Sequence, residues 1–296
     1  MRKIKFYIKI FVLKILSSNN LFLKLYLFYF KFTYNKRFRS EKYAHSVKSV
    51  IKKNLIPLCE NELAKYKNIS ILDFGCGPDI FNSVFLYSKF KNKIKLDFTD
   101  KFEKLNFNIV NKSFQYFFKK NSKEEAEKFF RNNTYSKADI HNMFLDKFYN
   151  IIFTVYVIEL FTIKELNKFF KNIKNKFNYC IIICDFSDIY FIDQWDKKDD
   201  LLKFNKLGYS ETLFNFSNNE INFQNRLRFN DFYELFLKNG YEIVEAIRCD
   251  VLNKKLNDNY FDNKIYKNFK IHKKFKTYKY EDLFTPKGVF IIKNLN

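Results

Sequence analysis

The chain has 296 residues, is 47% hydrophobic and carries a formal net charge of +22. That apolar fraction supports a large core and argues against a disordered chain, and the length suits one α/β domain with extensions better than two full domains. The 40 Phe and 20 Tyr set against 5 Gly and 3 Pro follow AT-rich codons, as do the abundant Lys, Asn and Ile; much of the positive charge is therefore coding bias and does not by itself point to nucleic acid.

Residues 5–33 are rich in Phe, Leu, Ile and Tyr but are broken by Lys5, Lys9, Lys14, Lys24 and Lys31 and by the polar run Ser17 to Asn20. No apolar run approaches the ~20 residues of a spanning helix, and no small-residue cleavage site follows, so a signal peptide is not expected. Two short basic amphipathic helices are expected here. They would cover the domain as a lid or lie on a membrane surface as a peripheral contact through residues 1–33.

Helices are expected over 41–54 and 58–67, then a buried strand over Ser70 to Phe74 ended by Gly75. Pro78-Asp79 should open a helix reaching Phe90. A second strand over 94–99 ends at Asp100. Ser122 with Glu125 reads as a capping box for a helix toward Arg131, and a weak strand should precede Asp139. A strong strand over 149–154 follows. Thr162 with Glu165 then opens a helix to about Phe177, before an apolar strand over 179–184. Residues 188–224 read as irregular. Asn230 should cap a helix over 231–239, ended by Gly240. A strand over 241–247, a Lys- and Asn-rich insertion over 251–284 and a last strand over 288–293 complete the chain. Strands alternating with helices argue for an α/β fold with a mainly parallel sheet covered on both faces.

The cysteines are Cys59, Cys76, Cys180, Cys184 and Cys249. Their odd number and the absence of C-x-x-C imply neither a disulfide framework nor a zinc site. No metal is expected, and a reducing cytoplasm is the expected compartment. Seven arginines stand in a chain that otherwise uses lysine, and four of them form two R-x-R pairs, Arg37/Arg39 and Arg226/Arg228. Bidentate anion binding is one reason to keep arginine there. A surface pair or a salt bridge at a helix start is the other.

The segment Asp73-Phe74-Gly75-Cys76-Gly77-Pro78-Asp79 holds two of the chain's five glycines within three residues, between an expected strand and an expected helix. Glycines there let the backbone turn tightly and let a ligand approach the main chain. Asp100 falls 23 residues past Gly77, at the end of the second strand, where an acid can accept from ribose hydroxyls. Asp139 follows at the end of the third. Taken singly, either Asp also reads as a turn residue.

With these residues in register, the sequence resembles the class I S-adenosylmethionine (SAM)-dependent methyltransferases. The matching stretches are Ile71 to Pro78, Asp100, Ala138-Asp139 and Tyr149 to Glu159. The resemblance implies a Rossmann-like sheet with an antiparallel last strand, helices on both faces and an N-terminal helical extension over 1–57. The SAM-binding domain would be 58–296, with an acceptor cap at 188–224. Asp73, Phe74, Gly75, Cys76 and Gly77 would hold the methionine part of SAM, Asp100 the ribose and Asp139 the adenine amino group. The segment 154–159, beginning at Thr154, would floor the methyl-donor pocket.

A narrower resemblance rests on Cys184-Asp185-Phe186-Ser187-Asp188 and Asn225-Arg226-Leu227-Arg228, which are similar to a bacterial methyltransferase group linked to surface-polysaccharide gene clusters. A His commonly follows the residues matching Asp188 and Glu159 in that group; Ile189 and Leu160 stand here instead. None of His45, His141 and His272 lies in a matched catalytic position. The reaction implied is methylation of a small molecule or glycan, with O-methylation favoured. A hydroxyl acceptor benefits from a general base, for which Asp188 is the first candidate and Asp185 and Glu159 the others. Arg226, Arg228 and Tyr190 are the expected acceptor-binding residues, one of the arginines on an anionic group. An RNA methyltransferase using the basic surface, and a degenerate SAM fold acting as a partner protein, are the alternative readings.

Overall fold

The computed structural model describes residues 11, 12, 14, 15, 41–100, 105, 107–137, 147–187, 204, 206–218, 223–249 and 271–295. Seven strands make one sheet: β1 (Ile69–Phe74), β2 (Ile94–Asp100), β3 (Thr134–Lys137), β4 (Tyr149–Val155), β5 (Phe177–Asp185), β6 (Tyr241–Cys249) and β7 (Lys287–Asn294). Their order is β3-β2-β1-β4-β5-β7-β6. The first five run parallel, and β7 enters antiparallel between β5 and β6.

Alternation along each central strand divides the core in two. Ile71, Ile151, Phe153, Ile181 and Ile183 bury against one face, with Val84, Phe85, Val110, Phe114 and Phe129 from the helices α2 (Phe81–Phe90), α3 (Phe107–Phe118) and α4 (Ser122–Asn132). Leu72, Ile152, Cys180 and Ile182 bury against the other. That face is covered by Leu166, Phe169 and Phe170 of α5 (Ile163–Ile173) and by Phe232 and Phe236 of α7 (Phe229–Lys238). Two shorter helices, α6 (Glu211–Ser217) and α8 (Tyr280–Phe284), lie at the carboxyl side.

The N-terminal side of the sheet is held by α1 (Glu41–Lys65), one helix where two are expected. Pro57 sits inside it. Ile51, Leu55, Cys59 and Glu62 fall on one face and are all buried, so continuous packing outweighs the proline's cost. Glu62 is the polar anchor of that face. Its carboxylate accepts from Asn178 Nδ2 at 2.7 Å and Asn150 Nδ2 at 3.3 Å and pairs with Lys65 Nζ at 2.8 Å.

Other expectations shift by a turn or less. The helix after the glycine loop starts at Phe81, because Pro78 and Asp79 belong to the loop itself. The helix opened by Thr162 ends at Ile173, and β5 begins at Phe177. The Thr162–Glu165 capping box forms; that of Ser122 does not, since Ser122 is already inside the helix. α7 is capped at Arg228, whose N–H donates to Asp231 Oδ2 at 2.7 Å, rather than at Asn230. α3, α6 and α8 are additional to the expected helices: α6 falls in the stretch read as irregular and α8 in the Lys- and Asn-rich insertion, while α3 buries Ile109, Val110, Ser113 and Phe114 at helical spacing. Most of the 1–33 extension and of the 251–284 insertion lies outside the described residues. Among those described, no helix is long and apolar enough to cross a membrane.

Candidate functional site

The parallel strands β1 and β4 lie side by side while their connections leave in opposite directions, which opens a crevice at their carboxyl ends. The glycine loop forms one wall. Gly75 (φ +77°) and Gly77 (φ +71°) both take left-handed backbone. The N–H groups of Gly75 and Cys76 donate to the same carbonyl, Thr99 O, at 2.8 and 3.0 Å. Gly77 N–H donates to Asp100 Oδ2 at 2.8 Å. Three successive loop amides are thus tied to the end of β2, so this turn is held in shape by its neighbour strand.

Three further contacts brace the loop. Ser83 Oγ on α2 donates to Asp73 Oδ2 at 2.6 Å. Ser113 Oγ on α3 donates to Asp79 O at 2.9 Å. Asp79, where a third glycine is common in the resembled family, accepts from Phe81 N at 3.3 Å through its own side chain. Ile80 between them sits at φ +44°, a costly place for a β-branched residue.

The other wall is the turn after β4. Tyr156 takes φ +59° and donates its N–H to Ile183 O at 2.7 Å. Val157 reaches the glycine loop: a Cβ placed on Gly75 would lie 2.4 Å from Val157 Cγ2. Thr154 is buried, and its hydroxyl has no hydrogen bond among the described residues. Beyond the turn, Glu159 is buried and its Oε1 accepts from Asp185 N at 3.2 Å. Asp185 Oδ1 accepts from Ser187 N at 2.8 Å. Gln224 Nε2 donates to Ser187 O at 2.7 Å and Asp185 O at 3.3 Å, and Asn225 N donates to Glu159 O at 2.8 Å. The 223–228 segment therefore lies across the ends of β4 and β5.

Burial pushes the Glu159 carboxyl well above the ordinary carboxylate range, and the charge of Asp185 adds to that. Burial raises Asp185 too, against the N–H of Ser187 and the positive charges of Lys287 and Arg228. The Cys76 thiol is likewise driven up, by burial and by Asp73, Asp100 and Asp79.

The two arginines of the second R-x-R pair are almost wholly enclosed. Arg228 donates Nε to Asp282 O at 3.1 Å, Nη1 to Phe186 O at 2.9 Å, and Nη2 to Leu283 O at 2.6 Å and Thr285 O at 2.9 Å. That uses four of a guanidinium's five N–H bonds on the main chain, and burial brings its pKa down to about 10. Arg226 donates to Tyr209 O at 2.9 Å, pairs with Glu211 and stacks at 4.1 Å on the Phe214 ring. Both arginines tie β5, α6, α8 and the 223–228 segment together, a structural task that the pairing pattern in the sequence left open.

The structure thus brings Asp73, Gly75, Gly77 and Asp100 to one crevice, with Thr154, Glu159 and Asp185 along its β4–β5 side. Phe74 and Cys76 contribute backbone alone: Phe74 stacks at 4.8 Å on Phe169, and Cys76 is 1% exposed. Asp139, Asp188 and Tyr190 lie outside the described residues. Two residues were not legible as part of the site: Thr99, which acts through a carbonyl that any residue has, and Lys287, which approaches only through the strand register, whereas Tyr156 and Val157 fall in the 154–159 segment expected at the methyl-donor pocket. Among the described residues no group of His, Cys, Asp and Glu side chains could hold a metal ion.

The strand order, the inserted antiparallel β7 and the glycine loop after β1 together define the Rossmann-like fold of the class I methyltransferases. No family model matches the chain, and no curated protein matches it in sequence. Among solved structures it is similar to the methyltransferase domain of bacterial CtHen1, with 10% identity, 82% of this chain and 99% of that one covered, and a TM-score of 0.45. It is similar to magnesium protoporphyrin IX methyltransferase from Synechocystis PCC 6803 with bound SAH, with 11% identity, 85% and 83% covered, and a TM-score of 0.45. It is also similar to a S-adenosylmethionine-dependent methyltransferase from Clostridium acetobutylicum ATCC 824, with 15% identity, 86% and 98% covered, and a TM-score of 0.41.

Proposed function

We propose that this chain is a SAM-dependent methyltransferase that methylates a hydroxyl of a small molecule or glycan unit. The observation that carries the reading is the glycine loop lashed to β2, Gly77 N–H on Asp100 Oδ2 and the Gly75 and Cys76 N–H groups on Thr99 O, at the switch point beside β4. The donor set fits SAM. Asp73 and Asp100 flank the loop as anions suited to an ammonium and to ribose hydroxyls, and glycine at 75 admits a ligand to the backbone. Asp139 is the proposed partner of the adenine amino group. When bound, SAM supplies an activated methyl group on a sulfonium.

The chain's own residues then have three tasks. The loop and Asp100 would hold the donor beside the β4–β5 side of the crevice. The 223–228 segment, which lies across the ends of β4 and β5, would cover the acceptor and exclude water, which sharpens every charge interaction inside. A carboxylate at the end of β5 removes the hydroxyl proton. The similarity of the Cys184–Asp188 and Asn225–Arg228 stretches to enzymes of surface-polysaccharide clusters supports a sugar acceptor. Residues 1–33 are the proposed lid or membrane-surface contact, on the cytoplasmic side.

Calorimetric titration of the purified chain with SAM and with its demethylated product tests the reading. Binding of both by the wild type, weakened at least tenfold in Asp100→Ala, is the expected result. A folded wild type that binds neither overturns it.

A further inference from the structure

Glu159, in the turn Ile158–Leu160 after β4, and Asp185, the last residue of β5, touch: Asp185 N donates to Glu159 Oε1 at 3.2 Å. Their surroundings differ. Glu159 is 3% exposed, and its Oε2 is buried with no hydrogen bond among the described residues. Among the described residues no cation faces it, and burial and Asp185 raise its proton affinity. A carboxylate in that position would be a buried charge without a counter-ion, whereas a carboxylic acid is tolerated there.

Asp185 is half-buried at the carboxyl end of β5. Cations face it from two elements. Lys287 stands directly opposite in the antiparallel β5–β7 pairing, is 8% exposed, and lies 5.6 Å above the Tyr156 ring. Arg228 is fixed to Phe186 O, one residue along. Ser187 N–H donates to Oδ1. Among the described residues the charged groups around the pair therefore divide, with Lys287 and Arg228 on the side of Asp185 and no cation on Glu159. The surroundings of Glu159 therefore favour a protonated carboxyl more strongly than those of Asp185 do.

We infer that Asp185 is the catalytic base that takes the proton of the acceptor hydroxyl, and that Glu159 is a positioning residue beneath it that works in its uncharged form. This rests on the methyltransferase reading. The acceptor O–H bond breaks as the O–CH3 bond forms. The proton goes to Asp185 Oδ2, the methyl carbon leaves sulfur, and the C–S electron pair stays on sulfur, turning the sulfonium into a neutral thioether. An anion kept beside two cations but partly desolvated is a stronger base than a free aspartate, which suits it to a sugar hydroxyl.

The test uses the full chain, radiolabelled SAM and a panel of nucleotide sugars (UDP-glucose, UDP-galactose, UDP-N-acetylglucosamine, GDP-mannose). Expected are a transfer rate that rises with pH to a plateau, an approximately 100-fold or larger loss in Asp185→Asn, a loss in Glu159→Ala, and recovery of most of that loss in Glu159→Gln. SAH affinity reports cofactor binding in every variant. A wild type that binds no SAH is failure of the methyltransferase reading, a separate result. Retained transfer in Asp185→Asn, or no recovery in Glu159→Gln, overturns the assignment. A second measurement needs no acceptor: carbon-13 carboxyl titration of the labelled chain, assigned by difference with the two conservative variants. One ionised and one protonated carboxyl at pH 7 is expected; two ionised or two protonated carboxyls overturn it.

Discussion

Gly75 and Val157 share one volume: a Cβ on Gly75 would sit 2.4 Å from Val157 Cγ2, so the loop after β1 and the turn after β4 close on each other only because position 75 has no side chain. The φ of +77° at Gly75 adds an independent demand. Gly75→Ala should therefore lose about 1–2 kcal/mol to backbone strain alone, with the clash on top. SAH binding by calorimetry should weaken at least tenfold. Adding Val157→Ala removes the 2.4 and 2.8 Å contacts of the Val157 methyl groups, keeps the 3.1 Å contact of its Cβ and leaves the strain, so the double variant should recover part of the affinity and not all. Full recovery would show that the backbone conformation is not required.

Arg228 predicts a stability effect larger than its exposure suggests. Lysine in its place cannot span Asp282 O, Phe186 O, Leu283 O and Thr285 O, and each buried carbonyl left unmatched costs about 1–3 kcal/mol. Arg228→Lys should lower stability by about 3 kcal/mol or more, readable as a fall in Tm of roughly 10 °C. A variant with wild-type Tm would return Arg228 to the list of acceptor-binding residues.

Glu62 should make the fold acid-sensitive. Its hydrogen bonds from Lys65, Asn178 and Asn150 outweigh the opposing effect of burial and hold its carboxyl below the ordinary carboxylate value. A depressed folded value means that the unfolded chain binds the proton more readily. The contribution is then fully present above the unfolded value of about 4.3 and fades as pH falls through the folded one. Glu62→Ala strands two asparagine amides and should cost roughly 2–3 kcal/mol at pH 7. The difference between variant and wild type in urea unfolding should shrink toward pH 3.

Glu159 carries the opposite sign. Its folded value is raised by burial and by Asp185, so the native state holds the proton that the unfolded chain releases above about 4.3. Stability then falls as pH rises from that value toward the folded one. Glu159→Gln removes the proton and keeps the shape. The Tm of Glu159→Gln relative to wild type should climb between pH 5 and pH 8; a constant difference would show that Glu159 is ionised in the native state.

The amino-acid sequence by itself determined the strands and the place of the glycine loop. Apolar runs such as Ile71-Leu72 and Ile181-Ile182-Ile183 can bury both faces only inside a sheet, and paired glycines between a strand and a helix mark a tight turn. The Thr162–Glu165 cap was legible for the same reason: its partners are three residues apart. Tertiary structure decided everything that depends on partners distant in the chain. Pro57 stays helical because Ile51, Leu55, Cys59 and Glu62 bury as one face. Arg226 and Arg228 bind main-chain carbonyls, because the segment that carries them is folded under α6 and α8. Asp185 meets Lys287 across 102 positions of sequence only through the antiparallel register of β5 and β7. Local patterns constrain backbone conformation and burial, whereas the ionisation and the task of a side chain follow from the charges, carbonyls and rings that the sheet order brings beside it.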